Sequence, residues 1–260
     1  MQKSRSRFRL LCFCKYHFDV MPVDFKKSLR HGELERIMAK VIAVDGPSGA
    51  GKSSVSRLVG KKLGFLHVDS GALYRIMTWQ CLENGIDTSD SEAMAAFADK
   101  VEIECVPEDG RIKYLVKGEE PGDRIRTPDI NAHASPVATV KNVRDRVTEL
   151  LRSMVKFGDL VVEGRDITTA VFADSPARFY LTASADVRAA RRQKEEVEKG
   201  IADQSAEAVK ASLLARDKID SSRKYAPLRK ADGVIEIDSS ELNLEQVVDA
   251  VLAALPADWR

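Results

Sequence analysis

The fold of this chain is decided by residues 41–54, which read V-I-A-V-D-G-P-S-G-A-G-K-S-S. The apolar, β-branched run Val41–Asp45 predicts a buried strand, and the amphipathic pattern of residues 52–63 predicts a helix. The turn between them fits G-x-x-x-x-G-K-[ST], which is typical of a loop that binds the phosphates of a nucleoside triphosphate. A glycine-rich turn without a ligand is the alternative, but it does not explain why lysine and serine follow the last glycine.

Each part of this loop has a physical role. Glycines let backbone N–H groups point at phosphate oxygens, and the helix that follows adds its positive N-terminal end. Lys52 can reach the outer phosphates, and the Ser53 hydroxyl can ligate Mg²⁺. Glu163 ends another apolar strand, at the place where such proteins carry a carboxylate for Mg²⁺ or catalysis. The predicted triphosphate and Mg²⁺ site is therefore Gly46, Pro47, Ser48, Gly49, Ala50, Gly51, Lys52, Ser53, Ser54 and Glu163.

The composition restricts the classes of function. A chain of 260 residues with 44% hydrophobic and 31% charged residues is an ordinary globular protein. The net charge of +1 gives no overall attraction to nucleic acid or to a membrane surface. The cysteines at positions 12, 14, 81 and 105 fit neither a disulfide framework nor a zinc site. We expect a cytoplasmic protein that binds neither nucleic acid nor membranes.

Residues 1–37 differ from the rest of the chain because they begin with basic residues and lack a clear period. We interpret them as a disordered or non-native extension, and we expect translation to start at Met38. An organellar transit peptide is the alternative, which the acidic residues of this segment argue against.

From residue 38 onward, strand patterns alternate with helix patterns. This order predicts an α/β fold of the P-loop NTPase type, with a five-stranded parallel sheet wrapped by helices. The alternating runs 101–106 and 112–116 flank a turn, so we expect a small antiparallel lobe within an insert at about residues 100–135. The charged helices at about 184–215 predict a short lid. A single domain would span residues 38–257.

Fold alone leaves the class of P-loop protein open. A GTPase would carry a base-reading N-K-x-D segment after a late strand, and residues 234–238 have none. The balanced charge argues against a motor ATPase with basic surfaces. Phosphoryl transfer to a small acceptor fits the size, the insert and the arginine-rich lid.

Four motifs sharpen this interpretation, and they occur in the order 46–53, 69–75, 164–166 and 216–223. They read G-P-S-G-A-G-K-S, D-S-G-A-L-Y-R, G-R-D and R-D-x-x-D-x-x-R. Together they resemble bacterial-type cytidylate kinases, P-loop nucleoside monophosphate kinases, over about residues 38–255. The resemblance implies an enzyme of pyrimidine metabolism that uses ATP and Mg²⁺ to phosphorylate CMP and dCMP. We also expect the protein to be a monomer.

The resemblance also implies roles for individual residues. The acceptor nucleotide would be held by Asp69, Ser70, Arg75, Ser135, Arg144, Asp166, Arg216, Asp220 and Arg223. The groups acting in catalysis would be Lys52, Arg165, Asp166, Arg188 and Arg192, with the last two in the lid. By periodicity alone Arg144 would lie on a solvated helix face, whereas the resemblance places it in the acceptor pocket. Asp69 and Ser70 also suit a helix N-cap.

Thr168 stands where the family commonly has glycine, and Ile219 where several members carry arginine. Two other functions stay open at this point. One is a kinase for another small acceptor, such as a different nucleoside monophosphate or shikimate. The other is a nucleotide-sensing regulator that binds without turnover, which the presence of Lys52, Ser53 and Arg75 argues against.

Overall fold

A computed structural model describes residues 39–198 and 205–260. The predictions for residues 1–37 and for a start at Met38 lie outside the described residues. So does the centre of the predicted lid.

The core is a twisted sheet whose strands are parallel except at one edge. Its strands are β1 Val41–Asp45, β2 Leu66–Asp69, β3 Glu104–Glu108, β4 Arg111–Leu115, β5 Leu160–Gly164, β6 Ala177–Thr182 and β7 Ile235–Asp238. Their spatial order is β3-β4-β2-β5-β1-β6-β7. The P-loop strand β1 is central, between β5 and β6, so it is buried along its whole length. The parallel strands β2, β5, β1, β6 and β7 confirm the predicted fold class.

The sheet has seven strands rather than five because the predicted antiparallel hairpin joins it. Strands β3 and β4 pair with each other over five residues. β4 then lies parallel to β2, where His67 pairs with Arg111. The hairpin therefore extends the edge of the main sheet. Sequence alternation shows which face of a strand is buried, but it does not show which edge the strand joins.

Helices cover both faces of the sheet. They are α1 Lys52–Leu63, α2 Ser70–Glu83, α3 Ser91–Ala98, α4 Pro128–Val137, α5 Lys141–Ser153, α6 Ala185–Glu198, α7 Ala206–Ser222 and α8 Leu244–Ala253. Local capping explains several of their starts. Thr127 accepts from the Ile130 N–H before Pro128, and Asn243 forms a capping box with Gln246.

Two apolar cores flank the sheet, one under α2 and α5 and the other under α1 and α8. A separate small cluster of Ala189, Val209 and Leu213 joins α6 to α7. Among residues 39–198 and 205–260, no helix is both long and apolar enough to cross a membrane.

Candidate active site

The P-loop takes a shape that only glycine permits at its first position. Gly46 has φ 150°, and a Cβ there would lie 1.9 Å from the Leu181 carbonyl oxygen. Gly51 has φ 88° and precedes α1, whose first turn has no side-chain cap. Its free N–H groups therefore stay available to an anion. Lys52 is buried and its Nζ donates to the Pro47 carbonyl oxygen at 2.7 Å.

The charge of Lys52 depends on its surroundings. Burial, and then repulsion from Arg165, lowers the pKa of Lys52 to about 7. A phosphate beside this ammonium would favour the protonated form. The arrangement is thus suited to a bound polyphosphate anion rather than to a permanent ion pair within the protein.

Glu163 links the P-loop to the next strand. Ser53 Oγ donates to its Oε2 at 2.8 Å, and His67 Nε2 lies 2.9 Å from its Oε1. The pairing of β2 with β5 sets Asp69 beside Glu163, which brings these groups to one edge of the sheet. Hydroxyl and carboxylate oxygens are the ligands that Mg²⁺ prefers, so Ser53 and Glu163 fit that ion.

Within the part of the chain that the structure describes, no three His, Cys, Asp or Glu side chains form a metal-binding group by themselves.

Arginines line the same cleft as the P-loop. The cleft has a volume of about 910 Å³ and is lined by Arg75, Arg126, Arg165, Arg191, Arg192, Arg216 and Arg223, among others. Burial, and then repulsion from Arg75 and Arg165, lowers the pKa of Arg216 to about 10. In the described part of the chain, the buried Nε of Arg216 has no hydrogen-bond partner. Mutually repelling cations with an unpaired donor are the signature of an anion site.

The carboxylates of the cleft balance only part of this charge. Arg165 Nε donates to Asp220 Oδ2 at 3.0 Å. Asp69 accepts from the Ala72 N–H as the cap of α2, and it lies 3.6 Å from Arg126. Arg75 and Arg126 hold the pKa of Asp69 below its usual value, although burial opposes them. Capping and a place in the cleft therefore coexist at Asp69, as expected.

Asp166 is held between two buried arginines. Arg144 Nη2 and Arg223 Nη2 both contact its carboxylate, the latter at 3.4 Å. Arg144 is 4% exposed and also donates to the Ala138 carbonyl oxygen, so the periodicity-based placement on a solvated face is wrong. Arg144 itself lies behind Asp166. Of the three, Asp166 and Arg223 are among the described residues that line the cleft.

Arg188 does not reach the place expected for it. Its Nη1 donates to the Ser48 carbonyl oxygen at 2.9 Å and to Asp217 Oδ2 at 2.5 Å. The guanidinium therefore lies against the outside of the P-loop, and Arg188 is not among the described cleft-lining residues. Arg192 does line the cleft, and it pairs with Glu195 and Glu196 of its own helix.

The remaining predicted residues converge on the same cleft. Residues 49–54 of the P-loop, Ser70, Ser135, Glu163 and Asp220 line it. Ser70 Oγ donates to the Glu163 carbonyl oxygen at 2.7 Å. Gly46, Pro47 and Ser48 shape the loop from behind.

Comparison with known proteins agrees with this geometry. The family model for cytidylate kinase matches residues 42–257. Curated cytidylate kinases align over nearly their full length. That of Streptomyces avermitilis is 42% identical over 226 residues, covering 86% of this chain and 96% of its own. That of Limosilactobacillus fermentum is 39% identical, covering 81% and 92%, and that of Pseudomonas aeruginosa strain LESB58 is 40% identical, covering 82% and 93%.

The chain belongs to the cytidylate kinase family.

The structure explains one departure from the pattern of the cytidylate kinase family. Thr168 donates to Asp45 Oδ2 from its Oγ1 at 2.6 Å and from its N–H at 2.7 Å. The Ile167 N–H donates to the other oxygen at 2.9 Å. The β-branched side chain is thus accommodated by a buried carboxylate at the end of β1. The turn that carries Asp166 is anchored by this contact.

Sequence reasoning missed four residues of this kinase site. Arg191 lines the cleft near Gly51 and donates to Ser239. Arg126 approaches Asp69, His67 supports Glu163, and Asp217 contacts the P-loop. Asp217 lies within the quoted R-D-x-x-D-x-x-R motif, so the motif itself was the signal for it. The contacts of the other three residues can be recognised only from the tertiary structure.

Proposed function

We propose that this chain transfers the γ-phosphoryl group of ATP to the phosphate of CMP and dCMP. The carrying observation is that one cleft is lined by two groups of residues suited to anions. One is the P-loop with Lys52, and the other is the arginine cluster that includes the unpaired Nε of Arg216. A second phosphate-bearing molecule in the arginine cluster would face the end of a triphosphate in the loop. The names of the curated relatives support CMP as that molecule.

Recognition of the base would fall to Asp166. A carboxylate accepts from the exocyclic amine of cytosine, whereas uracil presents a carbonyl at the same position. Arg144 and Arg223 fix the orientation of this carboxylate. Ser135 and Asp220 would contact the acceptor nucleotide from either side, with Asp220 in turn oriented by Arg165.

The chemistry would consist of positioning and charge neutralisation. A phosphate monoester oxygen is already a competent nucleophile near neutral pH, so no strong general base is needed. Lys52, Arg165, Arg192 and Arg216 would surround the transferring group and stabilise the charge on its oxygens. Ser53 and Glu163 would hold Mg²⁺, which would neutralise part of the phosphate charge. Arg188 lies outside the cleft, so we assign it no contact with the phosphoryl group.

The wider organisation follows from the same proposal. Residues 38–257 would act as one kinase domain, with an acceptor-binding insert at about 100–135 and a lid at about 184–215 that excludes water on closure. We expect a cytoplasmic monomer whose only partners are its nucleotides.

An ADP-release assay across CMP, dCMP, UMP, AMP and shikimate tests the proposal. We expect CMP and dCMP to give the highest kcat/KM. Faster turnover of AMP or shikimate would assign another acceptor. ATP binding without ADP release from any acceptor would instead indicate a nucleotide sensor.

A further inference from the structure

Asp217 touches the P-loop without lining the cleft. Its Oδ1 accepts from the Ser48 N–H at 3.1 Å, and its Oδ2 accepts from Arg188 Nη1 at 2.5 Å. The same Arg188 nitrogen donates to the Ser48 carbonyl oxygen at 2.9 Å. A single ion pair from outside the loop therefore engages both backbone groups of Ser48.

This ion pair is built into the protein rather than placed on its surface. The side chains of Arg188 and Asp217 are 7% and 17% exposed. Arg188 Nε also donates to the Ala183 carbonyl oxygen at 3.1 Å, which ties the guanidinium to the end of β6. Hydrogen bonds from a charged group to backbone atoms are stronger than neutral ones, and partial burial protects them from screening.

The neighbouring glycine shows how closely α6 approaches the loop. A Cβ at Gly49 would lie 3.0 Å from both Cβ and the carbonyl oxygen of Arg188. The backbone at Gly49 also has φ 78°. Packing and hydrogen bonding thus both fix residues 48 and 49 against α6. The first turn of α1, which follows, has no side-chain cap.

The helices that hold the loop also carry arginines of the cleft. Arg191 and Arg192 follow Arg188 on α6, and Arg216 directly precedes Asp217 on α7. We propose that Asp217 is a positioning residue for the ATP site. Through Ser48 and Arg188 it sets the shape of the loop, and it couples that shape to the placement of the cleft arginines. This inference rests on the proposed binding of ATP by the loop.

The test compares ATP and CMP binding by calorimetry in the full chain carrying Asp217→Asn. The amide removes the charge and can accept from only one side, so the loop loses part of its support. We expect the Kd for ATP to rise about 10- to 100-fold, the effect of losing a hydrogen bond to a charged group. We expect the Kd for CMP to change less than about threefold. Arg188→Gln should weaken ATP binding similarly, and the double variant should lose no more than either single variant.

Asp186→Asn is the matched control. Asp186 pairs with Lys210 at 2.6 Å and joins the same two helices, but neither residue contacts the loop. This variant should keep the wild-type Kd for ATP.

Three results would overturn the inference: a wild-type Kd for ATP in folded Asp217→Asn, equal losses for ATP and CMP, or an ATP defect in Asp186→Asn. If Asp217→Asn does not fold, Arg188→Lys carries the same expectation, because an ammonium cannot reproduce the contacts of the guanidinium fork. Absence of ATP binding by the wild-type chain would reject the proposed function itself.

Discussion

Asp166→Asn is the change that most directly tests base recognition. The side chain is 2% exposed, and Arg144 and Arg223 both contact its carboxylate. The amide keeps the shape and volume of the carboxylate while removing its charge. Arg144 and Arg223 contact different oxygens of the carboxylate and can only donate, so the amide oxygen keeps one of these contacts and the NH₂ group replaces the other acceptor. Cytosine would then lose an acceptor for its amine, and uracil would gain a donor for its carbonyl.

The size of the effect follows from the hydrogen bond that the variant removes. A hydrogen bond to a charged group contributes about 1.5–3 kcal/mol, and each 1.4 kcal/mol is a tenfold change. The ratio of kcat/KM for CMP to that for UMP should therefore fall about 10- to 100-fold. Folding stability should fall as well, because two buried arginines lose their shared counter-charge. Both substrates are assayed on the same sample, so partial unfolding cancels from the ratio.

The assay is coupled ADP release at varied CMP and UMP, with saturating ATP and Mg²⁺. Asp145→Asn is the control because Asp145 is next to Arg144 in the sequence but is exposed. It pairs with Lys141 in an exposed ion pair. Its ratio should equal that of the wild type. An unchanged ratio in folded Asp166→Asn would remove Asp166 from base recognition.

Three further predictions concern the P-loop and the end of β1. Lys52→Ala should lower turnover by orders of magnitude with an unchanged circular dichroism spectrum, and near-normal ADP release would reject the phosphate-binding role of Lys52. Thr168→Val should lower the free energy of unfolding in urea by about 1–3 kcal/mol because Asp45 loses a buried donor. Thr168→Ser keeps the donating hydroxyl and should be more stable than Thr168→Val. Equal stability of the two variants would contradict this. Burial, and then repulsion from Asp166, raises the pKa of Asp45 from 3.8 to about 6, so the folded protein binds this proton more tightly than the unfolded chain. The contribution of Asp45 to stability should thus fall as pH rises from about 4 to about 6. The wild type minus Asp45→Asn difference in unfolding free energy should be about 2 kcal/mol larger at pH 4 than at pH 7, and a pH-independent difference would refute the shift.

Local patterns in the sequence were sufficient to predict individual strands and helices. The apolar run before Gly46 predicted β1, and local caps at Thr127-Pro128 and at Asn243 mark the starts of α4 and α8. These signals are local because a cap or a buried strand is specified by residues within one turn of each other. The resemblance of four motifs then supplied the family, which the comparisons confirmed.

The errors arose where a residue's environment comes from distant parts of the chain. Helical periodicity predicts that Arg144 is exposed because it carries no information about Asp166, which lies 22 positions away. The predicted count of five strands was wrong because alternation does not reveal that β4 joins β2. The contact of Arg188 with Ser48, 140 positions away, has no signal near Arg188 in the sequence.

The sequence alone indicated the phosphate-binding loop, since the spacing of its glycines, lysine and serine is a local signal. Only the tertiary structure decided what surrounds that loop. The order of the parallel strands brings Glu163 to Ser53, and the packing of α6 and α7 brings Arg188 and Asp217 to Ser48. The physical reason is that a hydrogen bond depends on distance and angle in space, and these contacts join residues more than 100 positions apart in the chain.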